Sequence, residues 1–132
     1  MAHAAPPARQ RITLALRVCA ALLALTAVNH ARLAAEGLGN VTRHEVFVGL
    51  NSALALLLVL RSRWALVPTV LLSLQQLSSH GSELVHSIHG PEAFDWASVG
   101  VLLFFPALIA LLVVERRTAD TPEPPRKARP GS

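Results

Sequence analysis

Charged side chains are scarce in this sequence. Only 15% of its 132 residues are Asp, Glu, Lys or Arg, whereas 52% are hydrophobic and the mean hydropathy is +0.46. A chain this apolar differs from ordinary soluble domains, and its length leaves no room for several domains. The composition therefore favours a small protein whose solvent is lipid.

Cysteine and the common catalytic motifs are also nearly missing. The single cysteine, Cys19, has neither a partner cysteine nor a lipobox, so we expect no disulfide and no lipidation there. No nucleophile elbow accompanies the serines that flank the histidines, which disfavours hydrolysis through an activated serine. The arginines lie at the ends of apolar runs and not among aromatics, so the sequence predicts no nucleic-acid partner.

Four apolar runs dominate the remaining sequence, at residues 12–28, 46–60, 64–77 and 96–114. Only the last run is long enough by itself to form a transmembrane helix, because about 20 apolar residues are needed to cross roughly 30 Å of hydrocarbon. The other three need polar positions that face neighbouring helices. We therefore predict an all-α fold, a four-helix transmembrane bundle over residues 11–117. A soluble bundle is disfavoured because residues 96–114 carry no polar outer stripe.

The basic residues predict the topology. One side of such a bundle collects most of them, and the other side collects only Arg32 and Arg43. By the positive-inside rule the first side is cytoplasmic, so both termini lie inside (N-in/C-in). The residues of that side are Arg9, Arg11, Arg61, Arg63, Arg116, Arg117, Arg126, Lys127 and Arg129.

Both ends of the sequence differ from the apolar region. We expect residues 1–10 to be a disordered cytoplasmic segment, and residues 118–132 a disordered, basic, proline-rich cytoplasmic tail. The first apolar run resembles a signal peptide, but Arg17 interrupts it and no A-x-A site follows. We therefore predict an uncleaved first helix, since cleavage would leave three helices.

The third helix carries a polar stripe. Its members recur at alternating spacings of four and three, which places them on one face of a helix: Thr69, Ser73, Gln76, His80, Glu83 and Ser87. In lipid such a stripe faces other helices, and Asn51 and Asn29 are the predicted partners on helices 2 and 1. Gln76 and His80 should be shielded, and Leu72 and Leu77 more exposed. The alternative is that the stripe only joins helices by hydrogen bonds.

Five of the six histidines fall on the predicted non-cytoplasmic side, together with several carboxylates. His80 and Glu83, at positions i and i+3, can point at one ion, and His30 and His44 are the predicted third and fourth ligands of a transition metal. His86 and His89 lie off that face. Haem held by His30 or His44 opposite His80, or a proton site, are the alternatives. Glu92 and Asp95 precede helix 4, where Asp95 is a predicted cap.

Four short helices, an arginine beside the first, and a polar third helix over residues 11–117 resemble the small DoxX-like bacterial membrane proteins. The resemblance implies an accessory of a membrane redox system in the bacterial inner membrane, with other membrane subunits or a second copy as partners. The arginine-rich, lysine-poor composition is also associated with GC-rich bacterial genomes. The competing hypothesis is a structural or assembly subunit without a site of its own.

Overall fold

A computed structural model describes residues 8–90 and 93–120 of the chain. These residues form four α-helices and no strand: α1 (Ala8–Ala35), α2 (Val41–Val59), α3 (Leu66–His89) and α4 (Trp96–Asp120), with a short 3₁₀ helix (Arg63–Ala65) before α3. The predicted all-α class is therefore confirmed. Two of the helices, α1 and α4, are long and apolar enough to cross a membrane.

The helical region is slightly longer than the predicted domain of residues 11–117. Helix α1 starts at Ala8, three residues earlier, and α4 continues to Asp120, three residues later. Residues 8–10 and 118–120, which we expected to be disordered, are thus helical. The rest of the two predicted disordered segments, together with Glu92, lies outside the described residues.

Helices α1 and α2 form the first hairpin. Helix α1 ends in a Schellman arrangement, in which the backbone N–H of Leu38 donates to the carbonyl of Leu33 at 3.0 Å. Gly37 supplies the left-handed conformation that this ending requires, with φ of 67°. The Asn40 side chain then accepts from the backbone N–H of Arg43 at 2.9 Å and caps α2.

A second hairpin, α3 and α4, packs beside the first. Helix α1 packs along α2, α3 packs along α4, and α1 also contacts α4. The core between them is aliphatic and aromatic, and its large buried side chains include Leu16, Leu23, Leu54, Leu58, Phe105, Leu108 and Leu112. A continuous apolar core therefore joins the two hairpins.

Helix α3 buries polar side chains while it exposes several leucines. Thr69 and Gln76 are buried, whereas Leu71, Leu74 and Leu77 are each about 60% exposed. Our expectation for Leu72 is wrong, because this side chain is only 5% exposed. Leu72 lies three residues after Thr69 and four before Gln76, so it shares their inward face.

Asn29 also departs from the prediction. It lies on the outer surface of α1 beside Leu25 and Arg32, not in the polar seam. The buried positions of α1 follow the order Leu16, Ala20, Leu23 and Ala27, and the next step of three reaches His30. Asn29 is one residue, about 100°, off this face. Asn51 of α2 is buried as predicted.

Candidate metal centre

His80, Glu83 and Asp95 meet at the end of the α3/α4 hairpin. His80 and Glu83 are one turn apart on α3, which ends at His89 where the backbone N–H of Gly90 donates to the carbonyl of His86 at 2.8 Å. Asp95 directly precedes α4. The antiparallel return of the chain therefore brings Asp95 to the turn that carries the other two residues.

The ligand atoms of these three side chains are close enough to share one ion. His80 Nδ1 lies 3.0 Å from Glu83 Oε2, and one donor atom from each of the three residues lies within 4.8 Å of the other two. Metal–ligand bonds of about 2.1 Å place ligand atoms roughly 3 to 4 Å apart. The group thus needs only small side-chain shifts to coordinate a cation.

Ser98 lies among the three candidate ligands. Its hydroxyl oxygen lies 2.8 Å from His80 Nδ1 and 3.5 Å from Glu83 Oε2, and the hydroxyl donates to Asp95 Oδ2. The residue is fully buried, on the first turn of α4. Because the hydroxyl has one proton and gives it to Asp95, the proton on this side of the imidazole belongs to His80 Nδ1.

Asp95 caps α4 as predicted. Its Oδ1 accepts from the backbone N–H of Ser98 at 3.1 Å, and its own N–H donates to the hydroxyl of Ser87 at 3.3 Å, which ties the cap to α3. The hydroxyl of Ser98, followed by its backbone N–H, lowers the pKa of Asp95 below the ordinary value. Asp95 is therefore a carboxylate at neutral pH and an available ligand.

The donor set fits a divalent ion with mixed nitrogen and oxygen preference. One imidazole and two carboxylates provide two negative charges, and this chemistry suits zinc, manganese, iron or nickel. The side chain of Glu83 is 48% exposed and that of His80 is 24% exposed, so an ion has a path from solvent. Ligation through His80 Nδ1 requires the tautomer that carries its proton on Nε2, because a metal ion and a proton compete for the same lone pair.

The other two predicted ligands form a pair of their own. His30 Nδ1 lies 2.9 Å from His44 Nδ1, and the ring of His30 stacks on Phe47 with a centroid distance of 5.2 Å. One imidazole donates this hydrogen bond and the other accepts it. This pair is not part of the three-residue group, so the four predicted ligands lie in two pairs.

Asp95 is a candidate ligand that the sequence predicted only as a cap. A cap residue that follows a His-x-x-Glu helix by a short connection is the signal that could have identified it. His86 and His89 are exposed, and His89 hydrogen bonds to the carbonyl of Val85 at 2.9 Å. Both are outside the group, as their helical angles predict.

Comparison with protein families, with curated proteins and with solved structures found no match to this chain. The resemblance to DoxX-like proteins therefore stays a prediction.

Proposed function

We propose that this chain is a four-helix integral membrane protein that binds one divalent transition-metal ion at His80, Glu83 and Asp95, on the non-cytoplasmic side. The observation that carries the metal is the convergence of one imidazole and two carboxylates within 4.8 Å. Two carboxylates at one point repel each other, and a divalent ion neutralises both.

The reversed polarity of α3 supports a place in lipid. In water, a helix that buries Thr69 and Gln76 and exposes leucines on its outer face would be strongly unfavourable, since each exposed leucine loses the roughly 1.5–3 kcal/mol that its burial contributes. In a bilayer the same arrangement is favourable, because polar groups are the ones that need protein neighbours. The less apolar helices α2 and α3 then cross beside α1 and α4.

The charges at the other end support the topology. Arg9, Arg17 and Arg61 line one surface pocket near the start of α1, and Arg116 of α4 donates to the carbonyl of Arg63. This end is the cytoplasmic one by the positive-inside rule. Both termini are then inside, in the bacterial inner membrane, and the metal group is outside.

Metal titration of the purified protein in detergent tests the proposal. We expect wild-type protein to bind one Co²⁺ or Zn²⁺ per chain, and His80→Ala to lower the affinity by at least about a hundredfold, which exceeds the loss caused by outer-shell changes. His89→Ala is the matched control, an exposed histidine on the same helix that hydrogen bonds to the carbonyl of Val85. Equal affinity in the two variants would refute the site.

A second candidate function follows from the position of Ser98. Its hydroxyl contacts His80, Glu83 and Asp95 without any ion, so the four residues can also serve as a hydrogen-bonded clasp between α3 and α4. In that case the protein is a structural or assembly subunit. Stability that is independent of metal in wild type, with no bound ion, would favour this function.

A role as an accessory of a membrane redox system is supported only by the resemblance of the helix layout to DoxX-like proteins. Iron in the site would favour that role, because iron changes oxidation state, whereas zinc does not. Elemental analysis of protein purified without added ions shows whether the site holds iron or zinc.

A further inference from the structure

Arg17 is a charged residue within the apolar part of α1, and the metal centre does not use it. It is exposed on the outer surface of the helix. If α1 crosses the bilayer as proposed above and Arg11 lies at the interface, Arg17 is about 9 Å farther along the helix axis, at a rise of 1.5 Å per residue. A charge exposed to hydrocarbon at that depth is costly unless an anion or water accompanies it. Arg17 therefore needs a polar partner.

Two other arginines share a surface cleft with Arg17 at the end of the bundle that we assign to the cytoplasm. The cleft has a volume of about 590 Å³. It is lined by Arg9, Gln10, Thr13, Leu14, Arg17 and Arg61. Arg9, Thr13 and Arg17 are four residues apart and lie on one face of α1. Side chains of a helix tilt toward its N-terminus, which directs Arg17 toward Arg9 and away from the hydrocarbon.

The cleft carries an excess of positive charge. The guanidinium of Arg61 is paired with Glu115, whose Oε1 lies 2.7 Å from Nε and 2.6 Å from Nη2. Neither Arg9 nor Arg17 forms a salt bridge with a carboxylate among the described residues. Two positive charges are thus left for a ligand of the cleft, and guanidinium groups bind phosphate through paired hydrogen bonds.

The backbone of Arg61 indicates that the side chain at this position has a use. Helix α2 ends in a Schellman arrangement, in which the N–H of Ser62 donates to the carbonyl of Leu57 at 2.9 Å, and Arg61 has φ of 52°. Glycine is the usual residue here, because the left-handed conformation strains other residues. The arginine is strained at this position, while its side chain fixes Glu115 and lines the cleft.

We propose that the cleft binds the phosphodiester of an anionic glycerophospholipid from the cytoplasmic leaflet, with Arg9 and Arg17 as its phosphate ligands. Basic pockets beside transmembrane helices on this side of a membrane suit such head groups. Leu14, which is 64% exposed and lines the same cleft, offers apolar surface to an acyl chain. A lipid satisfies both kinds of group, whereas free phosphate satisfies only the arginines. This binding rests on the membrane placement proposed above and not on the metal centre.

Native mass spectrometry of the full-length protein in detergent with EDTA tests the lipid preference. The protein is offered equal amounts of phosphatidylglycerol and phosphatidylcholine, which share the phosphodiester but differ in the choline cation that arginines repel. We expect one phosphatidylglycerol per chain, bound about tenfold more tightly than phosphatidylcholine. Arg9→Gln and Arg17→Gln should each lower the phosphatidylglycerol affinity about fivefold, which corresponds to about 1 kcal/mol per arginine.

Arg63→Gln is the matched control, because Arg63 is an exposed arginine at the same end that does not line the cleft. This variant removes the same charge and should keep the preference. Equal binding of the two lipids to wild type would overturn the proposal. An equal loss in Arg63→Gln and Arg17→Gln would also overturn it, because general attraction to a basic surface would then suffice.

Thermal unfolding in the same detergent separates a lipid from free phosphate. Phosphatidylglycerol should stabilise wild type increasingly with concentration, and should stabilise Arg17→Gln less. Sodium phosphate should stabilise wild type no more than sodium chloride at equal ionic strength. Stabilisation by phosphate that is lost in Arg17→Gln would show that the cleft binds free phosphate, and would overturn the lipid assignment. If Arg17→Gln does not fold, as judged by circular dichroism, the comparison of Arg9→Gln with Arg63→Gln decides.

Extraction of membranes with alkaline carbonate distinguishes failure of the lipid cleft from failure of the membrane placement. A chain that stays in the membrane pellet but shows no preference for phosphatidylglycerol overturns the cleft alone. A chain that carbonate releases overturns the membrane placement and the lipid cleft together. The metal centre is tested at the opposite end of the bundle, and EDTA keeps it out of these measurements.

Discussion

The two ends of the bundle handle charge in different ways. At the end that we assign to the cytoplasm, the guanidinium of Arg61 pairs with Glu115 at 2.6 Å, and Arg116 donates to a backbone carbonyl. At the opposite end, an imidazole and two carboxylates surround the buried hydroxyl of Ser98. The first arrangement places permanent positive charges at a surface. The second gathers an imidazole and two carboxylates, the side-chain types that bind transition metals.

This difference is the reason that we propose a metal-ion-binding role for one end and not for the other. Arginines remain charged at all relevant pH values, so their end can set topology and tie α4 to the turn after α2. The group around Ser98 holds more negative charge than its one imidazole can balance. A bound cation would balance this excess, so the properties of the group should depend on added metal.

Ser98→Ala should give the largest effect on stability. Without metal, the loss of a fully buried hydroxyl that joins α3 to α4 leaves polar partners unpaired and should lower the free energy of unfolding by about 2 kcal/mol. Added Zn²⁺ should reduce this deficit, because the three ligands remain and the ion replaces the hydroxyl as their common partner. Thermal unfolding in detergent with and without Zn²⁺ measures both.

Ser82→Ala is the matched control for that experiment, since Ser82 is an exposed serine of α3 whose hydroxyl donates only to the carbonyl of Ser79. A deficit in Ser98→Ala that Zn²⁺ leaves unchanged would favour the structural clasp over the metal site.

A smaller effect is expected from the cap of α4. Asp95→Ala should lower the free energy of unfolding by about 1 kcal/mol, while Asp95→Asn, which keeps the capping oxygen, should lose less. The comparison is made in EDTA by thermal unfolding. Equal stability of the two variants would mean that the cap contributes nothing.

The same residue predicts a pH dependence. The pKa of Asp95 is lowered in the folded protein, so its charge stabilises the fold above the unfolded value of about 3.9, and this contribution disappears as the pH falls through the folded pKa. The advantage of wild type over Asp95→Asn in EDTA should thus be present at pH 7 and vanish in strong acid. If the stability difference between wild type and Asp95→Asn increased as the pH fell, the predicted direction of the pH dependence would be wrong.

The smallest effect should come from the arginine end. A double-mutant cycle of Arg61→Ala and Glu115→Ala should give a coupling of about 0.5–1 kcal/mol that weakens with salt, because the guanidinium side chain is 37% exposed. Neither variant should change metal affinity. A change in metal affinity would break the separation of the two ends.

The extent of sequence-based prediction differs between the helices and the site. Apolar runs and capping residues predicted the four helices, and the spacing of the polar stripe predicted that Gln76 is buried. The His80 and Glu83 pair followed from one helical turn. These are local properties, fixed by the 3.6-residue repeat.

The remaining site residues depend on tertiary structure. Asp95 reaches His80 only through the path of the connection after α3, which helical periodicity does not determine. His30 and His44 pair with each other because α1 and α2 pack closely, and that choice of neighbour could not be read from the spacing. Asn29 was misassigned because its helical phase was not compared with the buried positions of α1.

X-ray absorption spectroscopy of the zinc-loaded protein tests the metal site most directly. The account predicts one imidazole nitrogen in the first shell with oxygen ligands in the remaining positions, and loss of the bound zinc in His80→Ala. Two or more imidazoles in the shell, with binding lost in His30→Ala or His44→Ala and kept in His80→Ala, would place the ion at the other histidine pair and contradict the proposed centre.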